Sequence, residues 1–505
     1  MAGLSAGLRA VIQLIFIRGY NMNQNQNKAP IFDAAMKYAK LRPAYFCVPG
    51  HRYENGPGSL LREYAGDNIF KIDITETKIT DDLHCPVGAI KEAQELAAEL
   101  FGADHTFFLV NGSTCGNQAM LLSAAGPHDR VIVDANSHRS VNSGLIMNGA
   151  EPAYVMPDYI SEWDIPGGIS PAEAEKMFEL YPECRAMLVT SPNYYGVISD
   201  IRALAEICHR HNALLLVDEA HGTHCCFSEQ LANGALACGA DMCVQSLHKT
   251  GGALTQSSLL HVRSSHVDID RIRKSLTIVQ SSSPSYILLN SIDTARRDLA
   301  LHGKEMVSRA LELAAEAREK INAIPGLRCA GRELEGKSSV FRFDETRLVI
   351  SASQLGISGF DLKAMLFEDH NVEVEMADRN NTLAIVSYAN STEDIKMLVS
   401  ALNSIAEEHT DGIPLPGMAK PPGQARFAIS PRDAYFAKKK AVSWEEAEGR
   451  VCAEMIDISP PGIPLIRPGE IFSADILNYL KQIRLSGAYI QGLPDETMET
   501  VMVID

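Results

Sequence analysis

Residues 213–222 read ALLLVDEAHG. Five apolar positions in a row, with no polar alternation, describe a strand covered on both faces. Asp218 then ends it, and a carboxylate there is expensive unless a cation or a set of donors meets it. Similar runs occur at 106–110 (TFFLV), 130–134 (RVIVD), 185–190 (RAMLVT) and 241–245 (DMCVQ), with helical windows such as 171–181 and 200–212 between them. Apolar strands separated by helices predict an α/β fold with a mostly parallel central sheet. Ligands of such sheets collect at the carboxyl ends of the strands. The polar residues follow that rule: NGSTCGN, ANSHRS, SPNYYG and EAHG each follow a predicted strand.

The chain has 505 residues, 46% of them hydrophobic, which is enough for two or three domains and a large core. Its 63 acidic and 46 basic side chains leave a formal charge of −17. That balance speaks against nucleic acid or an anionic membrane as partner and is compatible with a small cationic substrate. The 11 cysteines, from Cys47 to Cys452, have no CxxC spacing, and the adjacent Cys225 and Cys226 lack zinc-ligand spacing. Scattered thiols fit a reducing cytosol, so a cytoplasmic location and no metal are expected. The apolar run in 8–18 is short of the roughly 20 residues of a membrane span and precedes no signal-cleavage site. Translation from Met22 is the expectation, with residues 1–21 a gene-reading extension.

Residues 111–120 (NGSTCGNQAM) place small residues before a helix expected to begin near Gly116. Its N-terminal N–H groups, with the Ser113 and Thr114 hydroxyls, suit a phosphate, although a simple capped turn reads the same way. No Walker GK[ST] follows. Asp218 could face a protonated pyridine nitrogen or be an ordinary strand-end aspartate. His221 could reach a phenolic oxygen, and His138 could stack on an aromatic ring; either could equally be a structural histidine. In QSLHKTGG (245–252), Lys249 near an apolar sheet end has its pKa lowered and becomes a usable nucleophile. His248 and Ser246 add phosphate donors, while Gly251 and Gly252 leave room for something to approach the backbone. Phosphate cradle, ring-nitrogen carboxylate, stacking histidine and Schiff-base lysine together specify a pyridoxal 5'-phosphate (PLP) site.

The chain resembles the Orn/Lys/Arg family of PLP-dependent decarboxylases, of the fold-type-I, aspartate-aminotransferase-like class. The resemblance rests on FCVPGHRYENG (46–56), DITETKITDDLHCPVGAIKEAQ (73–94), FFLVNGSTCGNQAM (107–120), NSHRSV (136–141), SPNYYGVISDI (191–201), VDEAHGTH (217–224), QSLHKTGGALTQSS (245–258), SSPSY (282–286) and SPPGIPLIRPGE (459–470). It implies an N-terminal segment (1–40), a PLP-binding large domain (41–330), a smaller α/β domain (331–410), a Pro/Gly-rich linker (411–424) and a C-terminal α+β domain (425–505). It implies Lys249 as the Schiff-base lysine, Asp218 on the pyridinium nitrogen and His138 on the ring. Ser113, Thr114, Ser246 and His248 would hold the phosphate, with His221 near the 3′-oxygen. SSPSY would reach the neighbouring subunit's cofactor, making the site a property of a homodimer or a dimer of dimers. Two positions depart from the family pattern: His221, where large inducible members carry Trp, and Ser459, where Tyr usually precedes PPGIP.

FCVPGH begins at residue 46, so no receiver-like wing domain, no wing-built decamer and a biosynthetic role are expected. The expected reaction is arginine to agmatine plus CO₂ in polyamine synthesis, with lysine and ornithine as alternative substrates. The distal cation needs a counter-charge. Asp73 and Glu76, in an acidic stretch with Asp81 and Asp82, are the candidates, against the alternative of a capped, solvated loop. Glu454 or Glu470 could choose between guanidinium and ammonium. Two other readings are an α-oxoamine synthase and an inactive regulatory homologue. HKTGGALTQSS and PPGIPLIRPGE oppose the first, and the joint retention of Lys249, Asp218 and His138 opposes the second.

Overall fold

The computed structural model describes residues 24–41, 43–52, 60–263, 265–416, 422–459, 463–485, 489–494 and 499–505. The expected start at Met22 and the PPG of residues 460–462 lie outside the described residues.

Seven strands form the central sheet: β1 (His105–Leu109), β2 (Arg130–Asp134), β3 (Glu151–Val155), β4 (Ala186–Thr190), β5 (Leu214–Asp218), β6 (Met242–Gln245) and β7 (Ser258–Val262). Their spatial order is β1-β7-β6-β5-β4-β2-β3. The pairs from β3 to β6 are parallel, and β7 runs antiparallel to both β6 and β1. Consecutive residues feed opposite layers: Val133, Leu188 and Leu216 enter one core, and Ile132, Met187 and Leu215 enter the other. With both faces covered, the strands have no polar side to show.

Helices α1 (Gly112–Ala124), α2 (Arg139–Asn148), α3 (Pro171–Leu180) and α4 (Ile201–Arg210) connect the strands. Side-chain caps start three of them: His138 at α2, Ser170 Oγ accepting from Glu173 N at 3.1 Å, and Asp200 Oδ1 accepting from Ala203 N at 3.1 Å. The expected helix start near Gly116 is corrected, because α1 begins at Gly112. Gly116 serves packing instead. A Cβ there would lie 2.4 Å from Val244 Cγ2 and 2.9 Å from Leu109 Cδ1, so its absence lets α1 lie close on the sheet.

A 37-residue helix, α5 (Tyr286–Asn322), runs from the large unit to the small one. Its first turns pack Tyr286, Leu289 and Ile292 against the N-terminal helices, and its end packs Leu313, Ala317 and Ile321 under a second sheet. That sheet holds β8 (Arg328–Cys329), β9 (Arg347–Ser351), β10 (Met376–Ala377) and β11 (Thr382–Ile385) in the order β8-β9-β11-β10, all antiparallel. Helix α6 (Thr392–Glu408) covers it, opened by a reciprocal Ser391–Asp394 capping box.

The last unit packs short antiparallel strands and the helix Ala474–Leu485 around Trp444, Phe472 and Leu480. It docks on the large unit through Phe427, stacked on Tyr154 at 5.8 Å, and through Arg467, whose guanidinium lies 4.2 Å from the same ring. Among the described residues, no helix is long and apolar enough to cross a membrane.

Candidate active site

Asp218 ends β5, in register with Thr190 on one side and Val244 on the other. Its carboxylate is buried and met by donors, Asn117 Nδ2 at 2.7 Å and Ala220 N at 3.1 Å. Asn117 lies four residues after Ser113, so α1 presents both on one face. A second buried carboxylate, Asp134, ends β2 and accepts from Asn136 N at 2.8 Å and Thr190 N at 3.2 Å. Burial raises its pKa to about 6, against the pull of those donors and of Arg467.

Lys249 sits on a single helical turn after β6, with Nζ 2.9 Å from His221 Nε2 and 5.3 Å from the centre of the Tyr194 ring. Behind His221 stands Arg347, fully buried at the start of β9. Its Nη2 donates to His221 Nδ1 at 3.3 Å and to the His221 carbonyl at 3.3 Å. Burial pushes the His221 imidazolium well below its ordinary value, and the Lys249 and Arg347 charges push the same way. Burial also lowers the Lys249 ammonium, opposed by Asp218 and Glu375.

At the other end, Ser113 Oγ lies 2.7 Å from Ser246 Oγ and 3.3 Å from Ser258 Oγ. His248 Nδ1 is 3.0 Å from the Ser257 carbonyl. His138 caps α2, its Nδ1 accepting from Ser140 N at 3.2 Å. That bond makes Nδ1 an acceptor and leaves the proton on Nε2. Burial lowers its pKa as well, with Asp218 raising it and Lys249 lowering it.

The structure brings all eight residues expected around the cofactor (Ser113, Thr114, His138, Asp218, His221, Ser246, His248 and Lys249) to the wall of one cavity of about 360 Å³. Thr190 lines it too, and its buried Oγ1 has no hydrogen-bond partner among the described residues. A hydroxyl-rich end, a buried carboxylate, a flat imidazole and an amine fit PLP in donor chemistry, and the volume suits a small molecule.

Other expectations are redirected. Asp73 and Glu76 are not among the lining residues, and Asp73 Oδ2 is 3.0 Å from His51 Nε2. Burial raises the Glu76 pKa, and Asp82 adds to it. Asp81 accepts from the backbone N–H groups of Val87, Gly88 and Ile90 at the start of the following helix, so it is a structural cap. Asp82 Oδ1 accepts from His84 N at 2.8 Å. Glu454 pairs with Lys439 at 2.7 Å, and Glu470 accepts from Arg467 N at 2.7 Å, both away from the cavity. Gly252, with φ +82°, makes room for Tyr388, whose hydroxyl would lie 1.8 Å from a Cβ there. Gly251 is crowded by Leu247, so both glycines serve the chain's own packing. In SSPSY, Tyr286 OH donates to the Asp81 carbonyl at 2.6 Å within the same chain.

Sequence reasoning missed Asn117, Tyr194 and Arg347. Asn117 and Tyr194 stand inside NGSTCGN and SPNYYG, two of the polar stretches that follow predicted strands. Arg347 comes from a different sheet and carries no local signal.

A mostly parallel sheet that gathers a lysine, an aspartate and histidines at its carboxyl ends, with a small antiparallel domain beside it, is the architecture of the fold-type-I, aspartate-aminotransferase-like class. Residues 29–394 match the Orn/Lys/Arg decarboxylase major domain and residues 418–500 its C-terminal domain, and the chain belongs to that family of amino-acid decarboxylases. It is 40% identical over 481 residues to an arginine decarboxylase of Halalkalibacterium halodurans, covering 95% of this chain and 98% of the relative. It is 36% identical over 482 residues to an arginine decarboxylase of Bacillus subtilis, with the same coverage of each. Among solved structures it is similar to a lysine decarboxylase of Francisella novicida, with TM-score 0.82 and 20% identity, covering 100% of this chain and 84% of that one.

Proposed function

We propose that the protein converts L-arginine to agmatine and CO₂ with PLP, as a cytoplasmic homodimer serving polyamine synthesis. The observation that carries this reading is the convergence, on one cavity, of the buried Asp218 carboxylate with Lys249, whose Nζ lies 2.9 Å from His221 Nε2. Similarity to two arginine decarboxylases over 95% of the chain supports the substrate.

In this reading Lys249 would hold the cofactor's aldehyde carbon, Asp218 its ring nitrogen and His138 its ring face. Ser113, Thr114, Ser246 and His248 would hold the phosphate, and His221 would lie near the 3′-oxygen. PLP, when bound, supplies the electron sink for the bond broken at the substrate's Cα. Asp218, fixed by Asn117 and the Ala220 N–H, keeps a negative charge oriented without reorganisation during the reaction. Lys249 Nζ and His221 Nε2, 2.9 Å apart, are the groups that hold and return the proton Cα needs once CO₂ has left. For the distal cation, Glu375 is a further candidate; like Asp73 and Glu76 it is not among the lining residues, but it is tied to Tyr194, which is. Its carboxylate accepts from Tyr194 OH at 2.9 Å, and its charge is felt at Lys249. Exposed apolar side chains at Phe46, Val48, Leu61, Tyr64 and Val87 offer the material of a subunit contact.

The test is CO₂ and amine release from arginine, lysine and ornithine in parallel, with PLP added and Lys249→Ala as control. Agmatine formed selectively and lost in the variant is the expected result. Cadaverine or putrescine instead would overturn the substrate, and no CO₂ from any of the three would overturn the reaction.

A further inference from the structure

At the opposite end of the central sheet, three segments that are distant in sequence converge on one buried carboxylate. Asp241 immediately precedes β6, and its backbone ties it to both neighbouring strands. Its N–H donates to the Leu215 carbonyl at 3.0 Å, and its carbonyl accepts from Arg263 N at 2.8 Å. Oδ2 accepts from Leu215 N at 2.8 Å, which fixes the plane of the carboxylate. His209, in the last turn of α4, sets Nε2 3.0 Å from Oδ2. His266, in the segment after β7, sets Nδ1 3.0 Å from Oδ1. The three donor atoms all lie within 4.8 Å of one another. The Asp241 side chain is 2% exposed, whereas His209 and His266 are 35% and 55% exposed, so the cluster opens to solvent on the imidazole side.

Two imidazoles and an anchored carboxylate, with an open side, are the donor set of a borderline first-row divalent ion rather than of magnesium or calcium. The backbone bond from Leu215 orients the carboxylate as outer partners orient metal ligands. Each imidazole faces a different carboxylate oxygen, so an ion on the bisector meets both oxygens and both nitrogens. Zinc bonds of about 2.0–2.2 Å subtend a span of roughly 3.4 Å between donor atoms, so each ring withdraws by about 0.4 Å from its present hydrogen bond while the two nitrogens, within 4.8 Å of each other, settle to a similar span. In the bound form each neutral ring carries its proton on the nitrogen turned away from Asp241, the facing nitrogen ligates through its lone pair, and the Leu215 bond is left intact.

We propose that His209, Asp241 and His266 form a zinc-binding site that staples α4, the start of β6 and the segment after β7. Five residues of extended chain, about 16 Å, separate Asp241 from Ser246 at the catalytic end of β6. The staple therefore acts on the stability of these central strands at the end of the sheet away from the cavity. Nothing in the sequence spacing announced it, because the three ligands are 32 and 25 residues apart.

The test uses the PLP-loaded full chain, stripped of metal and dialysed against Zn²⁺, beside the His209→Ala/His266→Ala double variant, whose substituted side chains are solvent-facing. The expected result is one more bound zinc per chain in the native protein and a zinc-induced rise in Tm that the variant lacks. Each single substitution is expected to weaken affinity by at least about tenfold. Zinc K-edge absorption should report imidazole scattering without a sulfur shell, which separates this site from the 11 thiols. Equal zinc content in native protein and double variant, or a sulfur shell near 2.3 Å, would overturn the proposal.

Discussion

Arg347 Nη2 donates to His221 Nδ1 at 3.3 Å, and a guanidinium has no acceptor, so Nδ1 must be one. A neutral His221 then carries its proton on Nε2 and donates it to Lys249 Nζ, which accepts as a neutral amine. Burial pushes both groups in that direction, so charge and hydrogen bonding agree. Amine-reactive labelling of Lys249 in cofactor-stripped protein, followed by mass spectrometry across pH, should therefore show a midpoint below the ordinary 10.5. Asp218 opposes that shift, so Asp218→Asn should move the midpoint lower still. A midpoint at or above 10.5 would sink the assignment. Glu375 gives the second prediction at this scale. Glu375→Gln should raise KM for arginine a few-fold, as an exposed charge pair warrants, with kcat little changed. An unchanged KM would return the distal-cation role to another residue. The strand-end residues were legible because an apolar run followed by polar groups is a local pattern. Arg347 was not, because its meaning depends on the small sheet docking against His221.

At the scale of elements, α1 does two jobs that the sequence stretch NGSTCGN blends together. Its N-terminus lines the cofactor cavity, and its second turn lies on β6 through Gly116. A run of small residues reads as a loop, which is why the helix was expected to begin at the second glycine instead of the first. Gly116→Val should push α1 off the sheet and cost about 1–3 kcal/mol, read as a lower urea midpoint. It should also weaken PLP retention, because the N-terminal turn moves with the helix. Stability lost with PLP affinity intact would mean the two ends of α1 are uncoupled. The strands missed in the sequence fail for physical reasons. β3 opens Glu151-Pro152 and sits at the sheet's edge, where a proline is tolerated. β7 interrupts its apolar run with His261, which bonds sideways to Thr106 Oγ1 at 2.8 Å and to Gln245 Oε1 at 3.2 Å. Polar residues satisfied within the sheet look, in sequence, like the end of a strand.

For the whole molecule, the decisive contact joins the C-terminal unit to the loop that carries His138. Arg467 Nη2 donates to the Ala135 carbonyl at 2.6 Å, three residues before His138, while Glu470 lies fully buried beneath Arg467. The IRPGE stretch was legible as a family signature but not as a clasp, because its partner lies 332 residues away. Burial raises the Glu470 pKa to about 7 from 4.5, against the opposing pull of Arg467. The folded chain thus binds this proton more tightly than the unfolded chain does. Stability from this group is fully present below pH 4.5 and is lost as pH rises toward 7. Between pH 5 and 8, native protein should therefore lose on the order of 2 kcal/mol relative to Glu470→Gln, read from paired urea unfolding curves. The variant keeps an uncharged group of the same shape, so its own profile lacks that slope even if its absolute stability is lower. The comparison rests on the difference in slope, which separates the titration from any packing defect. Parallel profiles would mean that Glu470 is ionised throughout and that Arg467 outweighs the cost of burying it.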